Sequence, residues 1–159
     1  MSRPILFDYA ISIGRDCRAR HQIVRQFGKE ACPSGIFDSQ RTPIDSLRAY
    51  VRHRFSGMME LEDLVIVDGL VVNRRHGTRH MHEFPPDITE ETLPEHLVRA
   101  RSRHDYLCGK TRTLFEGRGV LLLVHSHRLS WRRLLRARLT IMWHYPRLRF
   151  FLVDGPSGD

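Results

Sequence analysis

Hydrophobic positions along the chain change period several times, and each change marks an element. Tyr9, Ala10, Ile11 and Ile13 form a short apolar run that stops at Gly14. Ala19, Ile23, Val24 and Phe27 then recur on one helical face. The run has the length of a buried parallel strand, and the spacing after it predicts a helix closed by Gly28. With Asp16 as its N-cap, Cys17 becomes the first helical residue. Next, Thr42, Pro43 and Asp45 open a second helix whose apolar face is Ile44, Leu47, Val51 and Phe55. Leu64 to Val67 and Leu70 to Asn73 flank Asp68-Gly69, the signature of a tight hairpin.

The stretch from Arg74 to Asp87, RRHGTRHMHEFPPD, is too basic and too interrupted by proline to predict a regular element, and is expected on the surface. Thr92, Pro94 and Glu95 begin a long helix, sparsely apolar at Leu97, Ala100, Leu107, Leu114 and Phe115, which runs to Gly117. Val120 to Val124 reads as another buried parallel strand. Ser130 opens a last helix with Trp131, Leu134, Leu135, Leu139, Met142 and Trp143 as apolar positions, and Leu148 to Val153 predicts a final strand before Asp154-Gly155.

Strand, helix, strand, helix, strand in the last third points to crossover connections. The expected fold is therefore a single α/β domain over residues 1–159, a three-layer, Rossmann-like open sheet, mostly parallel, with a small accessory β-hairpin. A chain that stops just after a core strand also has the form of a truncated copy of something longer.

Composition narrows the class. At 41% hydrophobic and 28% charged residues, with no apolar run near the ~20 residues that span a bilayer, no membrane span is expected. The N-terminus has no secretory pattern, so the expected location is cytoplasmic. Cys17, Cys32 and Cys108 lack CxxC spacing, which argues against a disulfide framework or a cysteine zinc site. No cofactor is expected. The pairs His80-Met81-His82 and His125-Ser126-His127 have HxH spacing, but both fall in predicted loops, so no metal is expected either.

The net charge of +8 and ten histidines favour anionic partners: a nucleic acid, a phosphosugar or a lipid headgroup. No RRM, zinc-finger or helix-turn-helix pattern supports sequence-specific reading of nucleic acid. Arg132, Arg133 and Arg136, with Arg128 and Arg138, decorate the last helix, either as an anion-binding face or as a solvated one.

Ligands of open α/β sheets bind at the carboxyl ends of strands. Three such ends carry reactive side chains: Asp16-Cys17, His125-Ser126-His127 and Asp154. A cysteine at a helix start sits where free N–H groups and the helix dipole favour a thiolate and could stabilise an oxyanion, with Gly14 and Asp16 shaping the turn. The same position also suits a small residue packed at a strand-to-helix joint. A thiol nucleophile needs a base and an orienting acid; His80, His82, His125 and His127 are candidates for the first, Asp38 and Asp154 for the second.

The segments YAISIGRDCRARHQIVRQFG, SGIFDSQRTPIDSL and MHEF together resemble a bacterial family of domains of unknown function grouped with papain-like cysteine peptidases. Gly14 and Cys17 match its first motif, Ser34, Phe37 and Asp38 its second, and His82 with Phe84 its third, over about Phe7 to Phe84. Here Ile36 stands for the motif's proline, Ser39 for its tryptophan and Glu83 for its aspartate. The resemblance implies Cys17 as nucleophile, His82 as general base and Asp38 as an orienting or structural acid of a cysteine hydrolase or acyl transferase. His125 and Asp154 stand as alternatives. The substrate implied is a small molecule, a peptide or a glycan-linked compound.

Overall fold

The computed structural model describes residues 6–14 and 18–155. Among these residues seven strands divide between two sheets, and four α-helices pack around them. The first is parallel: β1 (Tyr9–Ile13), β6 (Val120–His125) and β7 (Arg149–Asp154), with β6 in the centre. Both faces of this sheet are covered. Ile11, Ile13, Leu121 and Leu123 point into a core shared with Leu47 and Tyr50 of α2 (Ile44–Arg52), Phe115 of α3 (Leu93–Glu116) and Ala137 and Ile141 of α4 (Trp131–His144). Ala10, Leu122 and Val124 point the other way, onto Ile23 and Val24 of α1 (Arg18–Phe27). That two-sided burial is why β1 and β6 read as continuous apolar runs rather than alternating ones.

The second sheet is antiparallel, in the order β2 (Gln40–Arg41), β5 (Arg79–His80), β4 (Leu70–Asn73), β3 (Leu64–Val67). The β3–β4 turn has positive φ at both Asp68 (51°) and Gly69 (74°), as a type I′ turn requires. The expected hairpin is therefore present but is not a small accessory ribbon, and the strands are not mostly parallel. Arg74 to Asp87, expected as irregular surface, supplies β5, which pairs with β2 and β4 at once. Its backbone is thereby satisfied and its His80 side chain is buried, with Arg79 outward.

Two helix details also differ from expectation. Thr42 does not cap α2: the helix begins at Ile44 with Pro43 in the cap position, and the Thr42 side-chain oxygen accepts from Gln40 Nε2 (3.2 Å) while its N–H donates to the Gly14 carbonyl (2.8 Å). In α4 the expected apolar face is turned outward: Trp131, Leu135, Leu139, Met142 and Trp143 are exposed, while Ala137, Thr140 and Ile141 pack inward. Small side chains on the inner face let α4 approach α2 closely. No described helix is long and apolar enough to cross a membrane.

Candidate active site at the strand ends

The three parallel strands end level with one another. Their register pairs Ile13 with His125 and His125 with Asp154, so the last residues of β1, β6 and β7 lie side by side. Short bonds lock these ends: Ser126 N–H donates to Ile13 O (2.9 Å) and Gly155 N–H to His125 O (2.8 Å). Gly14 follows β1 with φ of 151°, and a Cβ built on it would lie 2.0 Å from Ser126 Oγ. Only glycine fits there without displacing Ser126.

His125 is buried, and its Nδ1 lies 2.7 Å from the His127 carbonyl and 3.3 Å from the His127 N–H, so the ring is held against the backbone just past the end of β6. Ser126 Oγ lies 2.8 Å from His127 Nδ1. Asp154 Oδ2 accepts the Leu129 N–H (2.7 Å) and so anchors the connection from β6 to α4.

Cys17 and Asp16 lie outside the described residues; α1 is described from Arg18. The carboxylate of Asp38 is tied to that helix. Its Oδ2 accepts from Arg20 Nη1 (2.6 Å) and from the Gly35 N–H (2.8 Å), the latter closing the 3₁₀ turn Ile36–Asp38. Burial pushes the Asp38 carboxyl above its usual range, against the opposing pull of the Gly35 N–H and the Arg20 guanidinium. The turn is held from behind by burial of Ile36 and Phe37 and by the Ile36 N–H donating to Thr111 Oγ1 of α3 (3.0 Å).

The β2–β5 ladder lies between Asp38 and His82 in sequence order. It pairs Gln40 with His80 and Arg41 with Arg79. The pairing stops there: Asp38, in the 3₁₀ turn, and His82, in a bend, each lie two residues beyond the paired Gln40 and His80. His82 is exposed and lines a cavity of about 390 Å³ together with Glu83, His96, Arg99 and Arg103.

His80 belongs to a different environment. Its side chain is fully buried, neither ring nitrogen has a hydrogen-bond partner among the described residues, and Nδ1 is 3.9 Å from Glu83 Oε2. Burial, helped by neighbouring His104, pushes its pKa down to about 3, so this imidazole is neutral. Beside it Tyr50 Oη bonds both Gln40 and His104 Nε2 (2.8 Å). Cys108 is buried against His104, and burial pushes its thiol pKa far up. This polar core was not legible in the sequence. Gln40 gives no signal either, since Asp38, Ser39, Arg41 and Thr42 around it are polar as well.

His80 and His82 do not share an exposed face, and no group of three or more His, Cys, Asp or Glu able to hold a metal is gathered among the described residues. Arg132, Arg133 and Arg136 are exposed on α4, with Arg132 packed over the Trp131 ring (5.6 Å). Arg79, with Arg74 and Arg75, stands out in the sequence only as one of the basic residues of an irregular segment; the structure sets it directly opposite Arg41 across β2 and β5, a pairing the sequence does not show. No family model, curated protein or solved structure matches the chain.

Proposed function

We propose that the protein is a cysteine-dependent hydrolase or acyl transferase. In this reading the Cys17 thiolate attacks a substrate carbonyl carbon, His82 takes the thiol proton and returns it to the leaving group, and water or an acceptor then releases the acyl group from sulfur. Asp38 acts as a positioning acid, holding the turn that faces the start of α1 through Arg20. N–H groups at the start of α1 would receive the developing oxyanion. The observation that carries the reading is the β2–β5 pairing of Gln40 with His80, which leaves Asp38 and His82 each two residues beyond the paired ends, close to the end of β1, where the Thr42 N–H bonds Gly14 O. The level ends of β1, β6 and β7 support it further, because ligand sites of open sheets lie there.

We read the architecture as a three-layer, Rossmann-like arrangement around the parallel sheet, supported by its burial on both faces. A reducing compartment such as the cytoplasm is supported by the free thiols of Cys32 and Cys108. The test is a panel of activated esters and thioesters. Wild-type protein should form a covalent acyl adduct on Cys17, seen by intact mass and peptide mapping. Cys17→Ala should abolish it and His82→Asn should slow it by about two orders of magnitude or more. Absence of any adduct across the panel counts against the proposal.

A second reading, a non-catalytic module for an anionic polymer, is favoured by the exposure of Arg132, Arg133 and Arg136 along one helix. Retention on heparin that falls steeply with salt, and is lost on replacing these three arginines, would support it.

A further inference from the structure

Arg41 and Arg79 are directly opposed partners of the β2–β5 ladder. Directly opposite residues of an antiparallel pair project to the same face, and like charges so placed repel. Among the described residues neither guanidinium has an ion pair; the carboxylate of Asp45, in the first turn of the adjacent helix α2, is engaged by Arg48 (3.1 Å). The two arginines instead line one open cavity, together with Pro43 and Gly77, with a volume of about 390 Å³. Gly77 has φ of 75°, so the backbone forms that wall with no side chain occupying the space. The neighbouring residues of each strand, Gln40 and His80, point the other way and are buried, which fixes which way the arginines face.

We propose that this cavity is a binding site for a phosphate monoester. Two guanidiniums converging from adjacent strands match the charge of about −1.5 to −2 on such a group, and their planar forks can each engage two of its oxygens. The volume falls at the small end of ligand sites and leaves room beyond a bare phosphate, which suits a phosphate that carries a small organic group. The cavity adjoins the end of β1, because Thr42, between the lining residues Arg41 and Pro43, bonds Gly14. Under the cysteine reading, and resting on it, the phosphate would therefore belong to the substrate. The site itself stands without that reading.

Phenyl phosphate and inorganic phosphate are the probes, with benzoate as the monoanionic control, titrated by calorimetry and by thermal shift. Wild-type protein should bind phenyl phosphate saturably, more tightly than inorganic phosphate and at least tenfold more tightly than benzoate. Arg41→Gln and Arg79→Gln should each weaken it at least tenfold, and the double variant should abolish it. Arg132→Gln/Arg136→Gln on α4 should leave it unchanged. Cys17→Ala should also leave it unchanged, so failure of the hydrolase reading does not remove the site. Relief of the like-charge pair means the glutamine variants should unfold no lower than wild type without ligand, and the double variant should lose the rise in Tm that phenyl phosphate gives wild type. Binding that is absent from wild type, equal for benzoate, or insensitive to Arg41 and Arg79 would overturn the proposal.

Discussion

Replacing His80 by leucine should make the protein markedly less acid-sensitive. In the native state this imidazole is fully buried without a hydrogen-bond partner among the described residues, and its pKa falls from the ordinary 6.5 to about 3. The unfolded chain takes up the proton near pH 6.5 while the native chain resists it until about pH 3. Stability from this group is therefore complete above pH 6.5 and is lost as the pH falls through the window down to about 3. At about 1.36 kcal/mol per unit, the loss by pH 5 is roughly 2 kcal/mol, close to the largest single-residue effect expected over that range. His76 and His104 are also pushed down by burial, and Glu83 lies beside the ring, but all three remain in the variant. The difference between the two proteins thus isolates His80. Urea unfolding at pH 7.5, 6.5 and 5 should show wild type losing roughly 2 kcal/mol more than His80→Leu, about a 1 M larger fall in midpoint. Parallel losses, within about 0.5 kcal/mol, would refute the claim that a neutral imidazole is locked in the core.

Three further outcomes follow from the same structure. Asp38→Asn weakens the contact with Arg20 and the closure of the turn at Gly35, and should cost about 1–3 kcal/mol in urea unfolding at pH 7. Gly14→Ala forces a methyl onto Ser126 and a residue into positive φ, so it should lower Tm; adding Ser126→Gly should recover the part due to the clash and leave the part due to φ. Leu121→Ala, at the buried centre of the parallel sheet, should cost about 2–5 kcal/mol, whereas Trp143→Ser on the exposed face of α4 should stay within about 0.5 kcal/mol.

The parallel sheet was legible because Ala10 to Ile13 and Val120 to Val124 are covered on both faces, which leaves runs that are apolar apart from Ser12. The Asp68-Gly69 turn was legible because so few dipeptides adopt positive φ twice. The antiparallel sheet was not, since β2 and β5 are two residues each and owe their existence to pairing rather than to periodicity. Arg79-His80 also looked like solvent, when one residue faces a cavity and the other the core. The inner face of α4 misled for a related reason: close packing on α2 favoured Ala137 and Thr140 over the larger side chains that periodicity singled out. Among candidate site residues, Asp38 and His82 were singled out through motif resemblance, whereas the opposition of Arg41 and Arg79 required the strand register.

Alkylation of Cys17 tests the central claim most directly. Cys32 and Cys108 are buried, and burial pushes both thiols up, so in the folded protein iodoacetamide should modify Cys17 first. The rate, followed by peptide mapping from pH 5 to 10, should titrate at least about one unit below the ordinary ~8.5 of a free thiol, and His82→Asn should move that midpoint upward. A Cys17 that titrates near ~8.5 in wild type, unmoved by His82→Asn, would contradict the account.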